Sequence, residues 1–539
     1  MQPSVPASET ISAVAAMRWR ISADKPFLTL AATDTTVTYD DFMRQVASLA
    51  SELSDLGMQP GQTIATHFPT GIPALIAWQA VSAIGCVEMP IHPDLSGEPL
   101  QHILATCPPA AIIGEWSLHR NIAAVTVDPA PLMLFHGRPP NTPFPAAARD
   151  IEPVLQRAAK RLPEGKVSPS AAATVLFTSG TSGPAKGALL PHKQLHMVAQ
   201  QVLEATGLNA DDTYYCVHPL NHVAGKYMGV FAAMMAGAHV VLEERFDAAV
   251  WIERVHRHRI TISMAHGPML EMIHAQPASP LDAQHQMRRM MCCPLPLAIG
   301  AEFESRFDLA GIEMWGMTEI GNPLWTSVQA PRVPGSCGRL LAQWYDMQIA
   351  DPQTDIPLPA GTVGEIQVRP RHPYTTMIEY TGRPDATAAA WRNQWFHTGD
   401  LAYQNASGDV FYLDRIGDRI RRRSENISSY EIEAAAMRSG MIAEAAAVGV
   451  PSGFQHDDEI KLFVVAGPHQ EVDCTLLLTF LAGQLPHFML PRYIETLSGL
   501  PRTPNKKVRK KELRDRPNGT GTWDRKAAGL RLRDLYRLP

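Results

Sequence analysis

Residues 174–187 read Thr-Val-Leu-Phe-Thr-Ser-Gly-Thr-Ser-Gly-Pro-Ala-Lys-Gly, and no other stretch of the chain says as much about its fold. The apolar run at 175–177 reads as a buried strand. It opens into residues that are mostly Gly, Ser or Thr and then reaches Lys186. Small residues let backbone N–H groups approach phosphate oxygens, hydroxyls donate further hydrogen bonds, and a lysine supplies charge. A flexible Gly/Ser linker has a similar composition, but neither an abutting strand nor the lysine. The stretch is not a Walker A loop, because GxxxxGK[ST] is absent, nor a GxGxxG dinucleotide turn. Alone it predicts phosphate binding at a strand end.

The surrounding sequence predicts what holds that strand. A helical pattern over 39–56 is followed by the strand-like run Thr63–His67, a helix over 72–84 and a strand over 86–90. Gly57 and Gly85 close the two helices as C-terminal caps do. Repeated helix–strand units predict a largely parallel sheet covered by helices, an α/β fold. Residues 129–148, rich in Pro and Ala, read as a connecting loop. After Gly338 the texture turns to β, with strands over 348–350, 365–369 and 410–413 between turn-rich segments. Past 414–418 come a basic run at 419–423, a helix over 429–438 and a strand over 460–466.

The chain has 539 residues, 48 Lys+Arg against 53 Asp+Glu, and a formal charge of −5, which disfavours broad affinity for nucleic acid. Seven cysteines without a CxxC pair form neither a disulfide framework nor a zinc motif, and suggest a reducing compartment. The apolar runs 72–87 and 229–242 fall short of the roughly 18–20 residues that span a bilayer, and read as buried helices. The first 25 residues lack the basic start and long apolar run of a signal peptide, so a soluble, cytoplasmic protein without membrane insertion is expected.

Four further segments follow the phosphate-type stretch in order: Trp315-Gly-Met-Thr-Glu319, Trp395-Phe-His-Thr-Gly-Asp400, Asp414-Arg-Ile-Gly-Asp418, and the basic segment 501–514, which carries seven Lys or Arg. Alone, the last reads as a solvated tail. Together, from about Thr36 to Arg514, the chain resembles the acyl-adenylate-forming superfamily of acyl-CoA synthetases, peptide-synthetase adenylation domains and luciferases. Residues 369–373 and 424–431 read most like its crotonobetaine/carnitine-CoA ligase-like group.

The resemblance implies a large N-terminal multi-sheet α/β domain with a β-rich subdomain over 1–415, a hinge at 416–418 centred on Gly417, a small mobile α+β domain over 419–515, and a tail over 516–539. It implies attack by a carboxylate on the α-phosphate of ATP, with Mg²⁺, followed by transfer of the acyl group to coenzyme A. Such chemistry joins two anions, so positioning and charge neutralisation should dominate. Thr178, Ser179, Gly180, Thr181, Ser182, Gly183 and Lys186 would hold the β- and γ-phosphates. Glu319 would ligate Mg²⁺, Thr318 would bond the α-phosphate, and Trp315 would stack on adenine. Asp400 and Arg415 would hold the ribose, His222 would gate the acyl carboxylate, and Lys507 would bridge carboxylate and α-phosphate.

Taken singly, His222 and Trp315 could be packed core residues, Asp400 a turn residue, and Lys507 one basic residue among seven. His256 and His258 read as surface helix. Cys292-Cys293 stands where the family carries small residues before Pro294; it alters the pocket, and a vicinal pair can also bind metal. Gly417, Ser424 and Lys506 depart from the family pattern in the segment that serves the thioester step. Two alternatives stay open: an enzyme that hands its acyl-adenylate to a separate thioester-forming partner, and a non-catalytic nucleotide sensor. No carrier domain is expected after Arg514, and the assembly is expected to be a monomer or homodimer.

Overall fold

The computed structural model describes residues 9–531 except 140, 141, 143–147, 158, 160, 164–166, 179–184, 330, 417–419, 423, 424, 428, 453–457, 468–470, 486–488 and 504–506. Thr38 and Asp41 start the helix Tyr39–Asp55 with a reciprocal capping box, each side chain accepting the other's backbone N–H. Phe42, Met43, Val46, Leu49, Ala50 and Leu53 recur on one face and are buried. Gly57, at φ 85°, turns the chain out of this helix, and Gly85, at φ 72°, follows the almost wholly buried helix Ile72–Ala83.

Two sheets flank those helices. A nine-stranded sheet has a parallel run in the spatial order Ala310–Met317, Arg289–Cys293, Ile262–His266, Thr213–Cys216, His239–Leu242, Pro26–Leu30. An eight-stranded sheet has the parallel run Ala172–Thr178, Val87–Ile91, Thr63–His67, Ala111–Glu115, Leu132–His136, Ala148–Asp150. A five-stranded antiparallel sheet follows, built from Tyr345–Ala350, Gly364–Pro370, Trp391–Arg392, Trp395–Gln404 and Val410–Arg415. The multi-sheet α/β body with a β-rich part is thus as its sequence predicts.

The C-terminal part is a four-stranded sheet of Ile442–Pro451, Asp458–Ala466, Tyr493–Leu497 and Thr522–Asp524, covered by the helices Ser429–Met437 and Cys474–Ala482. Its core includes Ile432, Leu462, Leu477, Leu481 and Ile494, and shares no residue with the larger core.

Three local expectations change. The Pro/Ala-rich stretch 129–148 contains the strand Leu132–His136, whose five-residue run is long enough to pair in parallel with Ala111–Glu115. The apolar run 229–242 is helical only to Ala236; Gly237, at φ 78°, turns it into the strand His239–Leu242. The expected tail is in part sheet, since Thr522–Asp524 pairs antiparallel with Tyr493–Leu497. Among the described residues no helix is long and apolar enough to cross a membrane.

Candidate active site

In parallel α/β sheets, ligands collect at the carboxyl ends of the strands. Thr213–Cys216 runs out two residues before His218, Ile262–His266 ends on its own histidine, Arg289–Cys293 ends on Cys293, and Ala310–Met317 carries Trp315 into the turn bearing Thr318 and Glu319. Gly316 is required here, because a Cβ would lie 2.3 Å from the Gly321 carbonyl oxygen.

The two ends of the phosphate-type stretch pair as antiparallel strands, with Thr178 facing Lys186 at the loop-side ends of Ala172–Thr178 and Lys186–Pro191. Thr178 donates its hydroxyl to the Lys186 carbonyl at 3.3 Å. Ser179, Gly180, Thr181, Ser182 and Gly183 lie outside the described residues. A short strand, Glu379–Tyr380, adds to the hairpin edge and brings Tyr380 between two predicted site residues. Its hydroxyl donates to Glu319 Oε1 at 2.7 Å, and Lys186 Nζ sits 4.5 Å from its ring centroid. Burial, reinforced by the Glu319 charge, pushes the Tyr380 hydroxyl far above its usual range, so it stays a donor. Glu319 is buried, and Met377 N–H donates to its carbonyl at 2.7 Å.

Asp400 faces Arg415 across antiparallel strands, with Arg415 Nε 2.6 Å from Oδ1. Trp315 Nε1–H donates to Oδ2 at 3.0 Å. Burial pushes the Asp400 carboxyl up to about 6, against the pull of Arg415, Trp315 and Lys507. Trp315 is itself buried, so its first role in this structure is to hold Asp400. Gly399, at φ 70°, makes a bulge in the strand Trp395–Gln404 that turns the backbone just before Asp400. Glu365 clamps that turn: Oε1 accepts Gly399 N–H and Oε2 meets His397 Nδ1, both at 2.9 Å.

Asp355, Glu365 and His397 are the one His/Cys/Asp/Glu group among the described residues close enough to suggest a metal ion. Glu365 occupies the Nδ1 edge of the ring, whereas Asp355 lies 3.8 Å from Nε2 and already accepts from Gln367 at 3.0 Å. The carboxylates meet opposite edges of the ring, so they do not converge on one ion. The trio is a strut for the Asp400 turn.

Lys507 is exposed, and its backbone is paired with Thr503, whose N–H donates to the Lys507 carbonyl at 2.8 Å. Its charge reaches His222, His266, Cys293 and Asp400, helping to lower the two imidazoles, the thiol and the carboxyl. Lys507 therefore lies near the strand ends. Burial first, then His266 and Lys507, push the His222 imidazole down to about 3. Its Nδ1 accepts Ala224 N–H at 3.2 Å, which leaves the proton of the neutral ring on Nε2. Thr318 is anchored by its carbonyl, which accepts from Gln194 Nε2 at 2.9 Å.

Cys292 and Cys293 point to opposite faces of their strand, Cys292 into a core under the helices and Cys293 toward Lys507. Burial raises the Cys293 thiol to about 11, so neither geometry nor ionisation suits a vicinal metal site. His256 is exposed, while His258 lies 3.7 Å from Asp34. Gly417, Ser424 and Lys506 lie outside the described residues.

Sequence reasoning missed Tyr380, His218, His266 and the buried pair Glu313–Arg332, at 2.8 Å. Burial pushes Glu313 up to about 7 despite Arg332. His266 had a readable signal, as an imidazole ending a buried strand, Ile-Ser-Met-Ala-His.

A hydroxyl- and lysine-bearing hairpin, a buried carboxylate and a lysine brought over from a second domain define an acyl-adenylate-forming protein. The chain belongs to the AMP-binding enzyme family: the AMP-binding enzyme model matches residues 17–380, and the AMP-binding enzyme C-terminal domain model matches residues 431–507. A crotonobetaine/carnitine–CoA ligase of Salmonella choleraesuis is 27% identical over 491 residues, 88% of this chain and 93% of that relative. ATP-bound MatB of Rhodopseudomonas palustris superposes with a TM-score of 0.82 at 23% identity, over 94% of this chain and 98% of that one. The anthranilate CoA ligase AuaEII, in complex with anthranoyl-AMP, gives 0.84 at 19%, over 94% and 97%.

Proposed function

We propose that the protein is an ATP-dependent, AMP-forming acid–thiol ligase that activates a carboxylic acid and passes the acyl group to coenzyme A. In the first step the carboxylate oxygen bonds to the α-phosphorus and the bond to pyrophosphate breaks. In the second, a thiolate attacks the acyl carbonyl and AMP leaves. The first step needs positive charge between two anions more than it needs covalent chemistry.

Lys507 supplies that charge from the mobile side and Lys186 from the hairpin, with Thr178, Ser179, Gly180, Thr181, Ser182 and Gly183 donating to the β- and γ-phosphates. Asp400 accepts from the ribose hydroxyls, and Arg415 and Trp315 keep it in place. Thr318 lies beside the α-phosphate, and His222, neutral and with Nε2–H free to donate, faces the acyl carboxylate. Glu319 suits Mg²⁺, a hard cation that takes carboxylate oxygen; among the described residues only its Oε1 is hydrogen-bonded within the protein, by Tyr380. When bound, the ion would neutralise phosphate charge. The hinge role of Gly417 carries over from the family pattern alone.

The single observation that carries this reading is Lys507, whose charge reaches the His222 side and the Asp400 side of the same cleft. ATP–pyrophosphate exchange over a panel of carboxylic acids, followed by acyl-CoA detection, tests it. Acid-dependent exchange and acyl-CoA support the proposal. Exchange without acyl-CoA favours a separate thioester-forming partner, and no exchange at all would refute adenylation.

A further inference from the structure

Behind the carboxylate gate stand two histidines that the adenylation chemistry does not use. His218 and His266 meet edge to face, with ring centroids 4.6 Å apart and planes at 79°, and His222 lies 6.5 Å from His266 on its other side. All three lie at or just past carboxyl ends of the parallel run; His266 pairs with Cys293, and the charge of Lys507 reaches His266 and His222. His218 is only 5% exposed, and its Nε2 has no hydrogen-bond partner. His266 is tied to the Cys293 backbone, and His222 presents Nε2–H.

A buried ring nitrogen without a protein partner costs stability unless a water or a ligand meets it. Among the described residues these rings do not converge on a metal ion. The rings are also neutral: burial holds His218 well below 6.5, His222 near 3 and His266 near 4, aided by neighbouring imidazoles at His218 and His222 and by Lys507 at His222 and His266. Lys507, the cation that reaches His222 and His266, is already assigned to the reacting carboxylate. Neutral donors and acceptors suit an uncharged polar group better than a second carboxylate.

We infer that His218, His266 and His222 form a hydrogen-bonding wall of the acyl pocket, and that the acid activated here carries an uncharged polar substituent, a hydroxyl, carbonyl or amide, rather than a plain hydrocarbon tail. This rests on the adenylation reading. A pocket built to hydrogen-bond a substrate group rejects the hydrocarbon isostere strongly, because its own polar atoms are then left unpaired.

The test is ATP–pyrophosphate exchange with shape-matched pairs: 3-hydroxybutanoate against 3-methylbutanoate, and 4-oxopentanoate against 4-methylpentanoate. The wild-type protein is expected to favour the polar member by about tenfold or more in kcat/KM. His218→Leu should collapse that ratio with the KM for ATP unchanged, and His218→Asn should restore part of it. Equal use of both members by the wild type would overturn the inference, whatever the variants do. So would a His218→Leu protein that loses both activities in proportion. Exchange with none of these acids, nor with any in the wider panel, would overturn adenylation itself.

Discussion

The two ends of the cleft differ in how their polar groups are satisfied. At the nucleotide end the key charged side chains among the described residues already have protein partners: Trp315 and Arg415 hold Asp400, and Tyr380 ties Glu319 to Lys186. At the acyl end, His218 keeps a buried nitrogen without a protein partner, and its ring meets that of His266 edge to face. A surface that binds one constant molecule can be pre-organised by its own hydrogen bonds, so little reorganisation is needed when the ligand arrives. A surface that selects must leave some of its hydrogen-bonding capacity to the ligand.

That contrast can be broken at its strongest point first. Glu319→Gln keeps the shape but removes the charge, and exchange should fall by about 10²–10³, since one electrostatic contact to a reacting phosphate is worth about 3–4 kcal/mol. A loss below tenfold would remove Glu319 from the phosphate side. Asp400→Asn should raise the KM for ATP by about tenfold and leave the preference between paired acids untouched.

The pH dependence sharpens the same point. Burial sets the Asp400 carboxyl at about 6 rather than 3.8, so it gains a proton as pH falls from 7 toward 5, and ATP binding should weaken over that window. The sign for stability is opposite. A raised carboxyl favours the fold while protonated and loses that advantage as pH rises through 6, so Asp400→Asn should melt slightly higher than the parent at pH 8. A flat KM for ATP between pH 5 and 7.5 in the parent would contradict the assignment. His222 and His266, near 3 and 4, should contribute no limb above pH 5.

Smaller effects follow farther out. Tyr380→Phe keeps the ring under Lys186 and loses only the bond to Glu319, so kcat/KM for ATP should drop about three- to tenfold. Glu365→Gln keeps one acceptor for Gly399 N–H and should cost only about two- to fivefold in the same ratio; no change would mean that the strut does not position Asp400.

What was legible in the chain is what is contiguous in it. The hairpin, the Trp-Gly-Met-Thr-Glu turn and the Thr-Gly-Asp turn each need particular small or polar residues at fixed offsets, and Gly316 and Gly399 show why. Tyr380 left no such mark, because it reaches Glu319 only by adding a two-residue strand to the hairpin edge. The bond from Trp315 to Asp400 joins two motifs whose contact only the fold supplies. Leu132–His136 was hidden by flanking proline and alanine, since composition averaged over twenty residues masks five that pair. His218 and His266 look like ordinary polar ends of apolar runs until the sheet order sets them face to face.

The account stands on the reach of Lys507 across the cleft, and pyrophosphate exchange by Lys507→Ala measures it most directly. With the preferred acid, exchange should fall by about a hundredfold or more, while the protein still converts a synthetic acyl-adenylate and coenzyme A to acyl-CoA. Exchange at the parental rate would contradict it.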